Sequence, residues 1–437
     1  MKTAMYTLAG LMCLLTSCVD DDKDLSVPPT GNTTDLVIPD GFDWSTTRTV
    51  TLATNAPHAV SASIYLDEAC SEQIADLAIP EGDNNTSLEV PSANNAIWIK
   101  YPVTNGGYET QKISIKSKNL TRSASNRWEA DCLFPDSATP IQGSDYSTHI
   151  YKPAKNKYGT LMFEDMWPEL GDYDFNDFVI NYQTQVTWGM NGDWSSNNYL
   201  DITISLKLRA MGGSLPYRFC IQLPGKTTDM NGDPIYSPTF SREQITDFNI
   251  KSATKDIGVE FLANASNPIF ALTGLDNLKG PDGNQFYNTQ AGKLIASSAE
   301  TPTLVFSFKL QLDQKTAYNI FNSFSSSYDF DYFLQNTQNG REIHFVGYKP
   351  TELYKGYEAD RKEAGKNYYC NKDGFVWALK APVEMGWAIE KDQLLKVYPL
   401  FKNWLESGGY ELENATQELQ WYNHPDMRIP YIDPREH

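Results

Sequence analysis

The stretch that decides the fold spans residues 159–188 and reads GTLMFEDMWPELGDYDFNDFVINYQTQVTW. Its two ends are apolar runs rich in β-branched and aromatic residues, which is typical of β-strands, and an acidic turn separates them. Similar runs, bounded by Gly, Pro, Asn or Asp, recur at residues 199–211, 217–223, 258–262 and 303–312. This pattern predicts a large, mainly β domain over residues 158–425, in the form of a β-sandwich or jelly roll.

The turn inside this stretch concentrates negative charge. Residues 162–178 hold six carboxylates and no Lys or Arg. Because such charges repel one another when they are packed between strands, a bound cation or proton uptake must compensate them. A hard cation is the simpler solution, and calcium, which takes about six to eight oxygen ligands, is the ion that we expect. The expected ligands are the oxygens of Glu164, Asp165, Asp172, Asp174, Asn176 and Asp177.

The spacing of the turn excludes a known type of calcium loop. Asp172, Asp174 and Asn176 stand at alternate positions, as at the start of an EF-hand. However, Asp177 stands where that loop requires Gly, and Gln183 stands where it requires Glu. The loop is therefore not an EF-hand. The alternative to a calcium site is that the Asp and Asn side chains only satisfy the backbone of the turn.

The N-terminal half predicts a second, smaller domain. Residues 36–118 contain short β-branched runs with period-two alternation, as at Val50 and Leu52, separated by turn residues. We predict a small β-sandwich of the kind that spaces, presents or binds. Residues 119–157 are rich in Ser, Asn, Thr and Pro and are predicted to be a linker or a long loop.

Helical patterns are confined to the C-terminal end. Asp392 is placed to cap a short turn, and Pro399 to begin a second helix that stops at Gly408-Gly409. The residues on one face of this second helix, which we expect in the core, are Phe401, Trp404 and Leu405. Residues 426–437 are predicted to be a tail.

Residues 1–17 predict a bacterial lipoprotein signal peptide. A basic start is followed by an apolar run that is too short for a membrane-spanning helix. The run ends in Leu15-Thr16-Ser17-Cys18, which resembles a lipobox, so Cys18 is the expected site of a lipid anchor. Residues 18–35 then read as an acidic tether. Such an acidic run is typical of lipoproteins on the exterior of the outer membrane, and the alternative is a plain charged spacer.

The net charge of the chain bears on its partners, and its cysteines bear on metal sites and disulfide bonds. The formal net charge is -19, from 36 Lys and Arg against 55 Asp and Glu, which argues against nucleic acid as a partner. Four cysteines follow Cys18, and their spacing fits no metal pattern. They allow three disulfide pairings and imply none. These cysteines are Cys70, Cys132, Cys220 and Cys370.

The acidic stretch resembles the signature of the LruC-domain family of bacterial cell-surface lipoproteins. The likeness begins with residues 159–177 and extends, in order, to later blocks at residues 341–344, 347–351, 377–379 and 398–409. It covers residues 158–425. The resemblance implies a secreted, β-rich module of the cell envelope, displayed at the surface, with no established enzymatic activity.

Three common motifs of enzymes are missing from the sequence. It contains no H-E-x-x-H pair, no G-x-S-x-G elbow and no Walker loop. Glu342 beside His344 could suggest acid and base chemistry, but alternate residues here are better read as one face of a strand. A glycoside hydrolase stays open as the least favoured function, because its paired carboxylates are defined by distance and not by sequence.

We therefore expect a non-enzymatic, surface-anchored lipoprotein with a calcium-stabilised, β-rich domain that acts in adhesion or ligand binding. Its expected partners are the membrane, through lipid on Cys18, and a glycan or protein ligand at the cell surface. The alternative is a carbohydrate-binding lipoprotein of a glycan-uptake system, because aromatic residues make up 13% of the chain and aromatic faces suit sugar stacking.

Overall fold

The structure is a computed structural model, and it describes residues 33–118, 127–142, 146–190, 198–223, 239–263, 265–278, 286–290, 301–325, 329–361, 367–409 and 416–433. The first strands are β1 (Thr47–Ala56), β2 (Val60–Tyr65), β3 (Gln73–Ile79), β4 (Gly82–Pro91), β5 (Ala96–Pro102), β6 (Tyr108–Ser114), β7 (Lys116–Lys118), β8 (Arg127–Leu133), β9 (Tyr146–Lys152), β10 (Gly159–Phe163) and β11 (Phe178–Met190).

The later strands are β12 (Tyr199–Ala210), β13 (Tyr217–Gln222), β14 (Ile245–Ala253), β15 (Gly258–Phe261), β16 (Ile269–Thr273), β17 (Thr303–Gln311), β18 (Asp331–Asn336), β19 (Glu342–His344), β20 (Ala378–Ala381), β21 (Trp387–Ala388) and β22 (Tyr431–Ile432). The α-helices are α1 (Gln314–Asn322), α2 (Tyr357–Asp360), α3 (Leu394–Val397), α4 (Leu400–Glu406) and α5 (Thr416–Leu419). Short 3-10 helices lie at Thr33–Asp35, Arg242–Gln244, Leu275–Leu278 and Trp421–Asn423. The prediction of a mainly β, sandwich-type fold with short C-terminal helices is confirmed.

Most strands belong to three sheets. One sheet has the order β4-β1-β8-β7, in which β1 and β8 run parallel. The largest has eleven strands, in the order β14-β17-β12-β11-β9-β3-β2-β5-β6, and its strand β10 pairs with both β11 and β20. A five-stranded sheet has the order β15-β16-β13-β18-β19, and β21 pairs with β22.

Strand β9 joins the two halves of the chain within the largest sheet. On one side Ile150 pairs with Ala75 of β3, and on the other it pairs with Val186 of β11. Strands β8 and β9 lie in the segment 119–157, so the prediction of a linker or long loop was wrong for much of that segment. The reason is burial, because Ala130 of β8 and Ile150 of β9 are almost completely buried and drive strand formation.

The C-terminal helices pack as expected, with small differences at their starts. Phe401, Trp404 and Leu405 are fully buried, in one hydrophobic cluster. Helix α3 begins after Gln393 rather than being capped by Asp392, and Pro399 precedes α4 instead of being its first residue. Both predicted starts were therefore wrong by one residue. Helix α4 ends before Gly408 and Gly409, whose φ angles of 77° and 79° suit glycine.

The segment that precedes β1 packs against this C-terminal cluster. The indole of Trp44 donates a hydrogen bond to the carbonyl of Gly374 at 2.8 Å, and its ring contacts Phe401 and Trp404. The Thr33 amide donates to the side chain of Gln393 at 3.2 Å. The first described residues therefore lie next to α3 and α4. No helix in the described part of the chain has the length and apolarity that crossing a membrane requires.

The four cysteines Cys70, Cys132, Cys220 and Cys370 are free thiols in the structure. Cys132 and Cys220 are buried. Burial raises the pKa of Cys132 to about 12 and also raises that of Cys220. These two thiols therefore act as small apolar core residues.

Candidate metal site

The acidic loop, residues 164–177, connects two paired strands. Phe163, the last residue of β10, pairs directly with Phe178, the first residue of β11. Within the loop the backbone is left-handed at three alternate residues, Gly171, Tyr173 and Phe175, with φ angles of 69°, 63° and 54°. This conformation is uncommon for residues other than glycine. The packing of the side chains must therefore stabilise this left-handed conformation of the loop.

Two buried aromatic residues supply that packing. The rings of Tyr173 and Phe175 lie 4.7 Å apart, edge to face. The Tyr173 hydroxyl donates to the carbonyl of Val376 at 2.7 Å and accepts from the Val376 amide at 3.0 Å. The loop is thereby fixed to the residues just before β20.

Glu164 lies inside the loop and holds it closed. Its side chain is fully buried and accepts hydrogen bonds from the amides of Tyr173 at 3.3 Å and Phe175 at 2.6 Å. A carboxylate that accepts two amide hydrogen bonds is oriented without any metal. Glu164 is therefore partly a structural residue.

Asp174 connects the loop to a distant segment. Its carboxylate accepts hydrogen bonds from the amide and the side-chain NH2 of Asn176, at 3.0 and 2.7 Å. It also accepts one from the Lys391 amide at 2.8 Å. The loop is thus linked to residues that directly precede α3.

The structure brings three of the six predicted ligands together. Carboxylate oxygens of Glu164, Asp172 and Asp174 all lie within 4.8 Å of one another. Asp172 is exposed, whereas the other two are buried, so one side of this cluster is open to solvent. Oxygen atoms at such separations can bind one Ca²⁺ ion after small side-chain movements, since Ca–O distances are about 2.3–2.6 Å.

The other three predicted ligands are arranged differently. The Asp165 amide donates to the Asp177 carboxylate at 2.7 Å, and Asp165 also approaches the amide of Leu215 at 3.4 Å. Asn176 donates its side-chain NH2 to the carbonyl of Ala388 at 3.1 Å, as well as to Asp174. The turn-satisfying role that the sequence left open therefore exists beside the carboxylate cluster.

The pKa values of this loop are displaced upward. Burial, followed by the charges of Asp177 and Asp174, raises the pKa of Glu164 well above its usual range. Burial, followed by the charge of Asp172, raises the pKa of Asp174 to about 8. Burial, followed by Asp165, likewise raises that of Asp177. A positive charge at this place would reverse these shifts.

The buried carboxylates of this loop have no ion-pair partner among the residues that the structure describes. No Lys, Arg or His in those segments forms an ion pair with Glu164, Asp174 or Asp177. Lys391 and Lys396 line a cavity of about 150 Å³ that also borders Asp172. They do not form an ion pair with it.

A family model described as a domain of unknown function (DUF4842) matches residues 197–422. This range is slightly more than half of the chain. The chain belongs to the DUF4842 family. The match supports the resemblance to LruC-domain lipoproteins only in part, because the matched family does not carry that name.

The fold of the chain is similar to that of a solved protein from Bacteroides ovatus, described as a "putative lipoprotein". The two share 23% sequence identity with a TM-score of 0.60, over 85% of this chain and 98% of the other. The major pilin SpaD from Corynebacterium diphtheriae aligns with a TM-score of only 0.14 at 7% identity, over 68% of this chain and 64% of the pilin, which is too low to indicate a shared fold. No functionally curated protein matches the chain.

The candidate metal site lies at the border of the DUF4842 region. The acidic loop precedes residue 197, whereas its partners Lys391, Ala388 and Leu215 lie within the matched region. Sequence reasoning missed these partners, since nothing in the local pattern of residues 388–391 indicates a site. The amides of Gly212 and Gly213 also donate to the carbonyls of Asn176 and Asp177, at 3.0 and 3.1 Å. Two adjacent glycines after a strand are a sequence signal for such close packing.

Two further predictions concern the lipid-anchor residue Cys18 and the pair Glu342 and His344, and the structure describes only the second. Cys18 and the signal peptide lie outside the described residues, as does most of the tether. Glu342 and His344 are both buried in β19, as expected for a strand. His344 lies between two carboxylates, with Nδ1 2.8 Å from Asp331 and Nε2 3.2 Å from Glu342.

Proposed function

We propose that this protein is a non-enzymatic, lipid-anchored lipoprotein of the outer membrane that faces the cell exterior, and that its acidic loop binds calcium. Its role in this proposal is adhesion or ligand binding. The observation that carries the calcium assignment is the burial of Glu164 and Asp174 without a basic partner among the described residues. A Ca²⁺ ion at this cluster would compensate the charges and hold the loop closed.

The anchoring part of the proposal has separate support. The sequence around Cys18 resembles a lipobox, and the Bacteroides ovatus protein of similar fold is described as a lipoprotein. Replacing Cys18 by Ala should release the protein from the membrane fraction into the soluble fraction of fractionated cells, because the lipid acceptor is lost. Continued membrane anchoring of this variant would contradict the lipobox assignment.

Adhesion or protein binding is favoured over the alternative, a glycan-binding lipoprotein. Sugar stacking requires exposed aromatic faces. Within the described segments Tyr108, on β6, is the only aromatic side chain that is largely exposed, at 68%. It lies on a strand at the end of the largest sheet, where a further strand could pair. An array of glycans and host-matrix proteins tests this choice, since binding to glycans alone would favour the alternative.

Isothermal titration calorimetry of the purified protein tests the calcium assignment. We expect saturable Ca²⁺ binding and a higher melting temperature in calcium than in chelator, because a ligand that binds only the folded state stabilises it. The gain in the free energy of unfolding is about 2.7 kcal/mol when free Ca²⁺ is at 100 times its Kd. A titration without binding heat, together with identical melting curves in calcium and chelator, contradicts the assignment.

A further inference from the structure

Three buried polar atoms without hydrogen-bond partners lie close to the acidic loop. They are Asn176 Oδ1, Thr289 Oγ1 and Glu390 Oε2. Asn176 and Thr289 are fully buried. A buried polar atom that lacks a partner costs about 1–3 kcal/mol, so such atoms are rare unless something satisfies them.

The position of Gly212 shows that two of these atoms converge. A Cβ atom on Gly212 would collide with Asn176 Oδ1 and would lie 3.0 Å from Glu390 Oε2. The two oxygens therefore border one small region, and glycine is needed there because any side chain would collide with them. The neighbouring Gly213 is similarly crowded, since a Cβ atom added there would collide with Asp165 Oδ2.

Thr289 lies next to Glu390. The amide of Glu390 donates to the Thr289 carbonyl at 3.0 Å, so the two backbones are adjacent. Thr289, whose buried hydroxyl has no hydrogen-bond partner, therefore lies on the segment that packs against Glu390.

The orientation of the Asn176 amide is fixed by its other contacts. Its NH2 group donates to Asp174 Oδ2 at 2.7 Å and to the Ala388 carbonyl at 3.1 Å. The reverse orientation would turn its oxygen toward these two acceptors and lose both hydrogen bonds. Asn176 therefore presents an oxygen, and not a donor, to the Glu390 carboxylate.

We infer that Asn176, Thr289 and Glu390 form a cation-binding position for Ca²⁺, next to Gly212. This inference deepens the proposed function and rests on it, because Asn176 belongs to the same acidic loop. A carboxylate, an amide oxygen and a hydroxyl are hard oxygen donors, which Ca²⁺ prefers over transition metals. The ion would join the acidic loop to residues 286–290 and 388–391, which come from two distant parts of the chain.

The test is calcium titration calorimetry of four proteins: the unmodified chain, Glu390→Gln, Asp172→Asn and Glu169→Gln. Glu390→Gln should weaken calcium binding at least about tenfold or remove one binding event, because a charged ligand is lost. Glu169→Gln is the matched control. It removes the same charge from an exposed side chain of the same loop and should leave binding unchanged.

The outcomes separate the inference from the proposed function. If the unmodified chain and Glu390→Gln bind calcium equally while Asp172→Asn binds weakly, the inference fails and the proposed function stands. If the unmodified chain binds no calcium, both fail. If Glu390→Gln does not fold, Thr289→Val replaces it, since this change removes only the hydroxyl at nearly constant volume. Unchanged calcium affinity of Thr289→Val would then overturn the inference, as would a structure in calcium with only water at this position.

Discussion

Several parts of this molecule contain buried or half-buried carboxylates, and two of these parts differ in the residues that surround them. One is the acidic loop. The other, which we call the lysine cluster, consists of Glu89, Lys152, Asp329 and Lys380. In the lysine cluster Lys152 Nζ lies 2.9 Å from an Asp329 oxygen, and Lys380 Nζ lies 3.0 Å from a Glu89 oxygen. Among the described residues, no Lys, Arg or His forms an ion pair with Glu164 or Asp174.

The pKa values differ accordingly. Burial alone would raise the pKa of Asp329, but Lys152 and Lys380 outweigh it and lower that pKa below its usual value. Burial of Asp174 is not opposed in this way, and its pKa rises to about 8. The comparison teaches that burial alone does not determine the charge state of a carboxylate. A neighbouring cation does, and in our proposal the acidic loop receives that cation from solution as Ca²⁺.

The largest effect is expected in the lysine cluster. Lys152→Met leaves Glu89 and Asp329 with only one lysine, and breaking a buried ion pair in this way costs about 3–5 kcal/mol. Urea denaturation with and without calcium measures the change. We expect the same loss in both conditions, since this cluster contains its own cations.

Lys155→Met is the control for this prediction. Lys155 is more exposed and lies 3.8 Å from Asp76, so the loss should be at most about 1 kcal/mol. Equal losses for Lys152→Met and Lys155→Met would mean that the lysine cluster is not energetically distinct from a surface pair.

A third group of buried charges, around His344, extends the comparison to the pH dependence of stability. Burial would lower the pKa of His344, but Asp331 and Glu342 raise it to about 9. The charged imidazole therefore contributes stability that is fully present below pH 6.5 and is lost as the pH rises through about 9. The stability difference between the unmodified protein and His344→Gln should be about 2–3 kcal/mol larger at pH 6 than at pH 10. A pH-independent difference in the free energy of unfolding would contradict a charged His344.

The smallest expected effect is a shift in melting temperature caused by a substitution in the acidic loop, and the sign of this shift should depend on calcium. Asp172 is exposed, and its charge raises the pKa of Asp174 and Glu390. Without calcium, Asp172→Asn should raise the melting temperature by about 2–4 °C because it relieves repulsion. In millimolar calcium the same change should lower it, because a ligand is removed. A decrease of equal size in chelator and in calcium would instead assign Asp172 a purely structural role.

Much of the fold could be predicted because strands leave a local pattern. Val50 and Leu52 alternate with polar residues, and both are fully buried in β1. Strand β8 also alternates, with Ala130 buried and Asp131 exposed. The Ser- and Pro-rich residues on either side of β8 and β9 nevertheless favoured the prediction of a linker. The pairing of β9 with both β3 and β11 depends on tertiary contacts, which a local pattern does not contain.

The candidate site could be predicted only within the loop. The alternate spacing of Asp172 and Asp174 indicated a cluster of oxygens, and the structure places both beside Glu164. The hydrogen bond from the Lys391 amide to Asp174 joins residues 217 positions apart, and no local pattern records such a contact. The same holds for Glu390, because its approach to Asn176 depends on how the C-terminal segment packs.

The most direct test of the account is a crystal structure of the protein grown in millimolar Ca²⁺, with anomalous diffraction recorded to identify the ion. The account predicts a calcium peak bonded to oxygens of the acidic loop, with Ca–O distances of about 2.3–2.6 Å. A map without a metal peak, in which Lys or Arg side chains from another part of the chain contact Glu164 and Asp174, would contradict it.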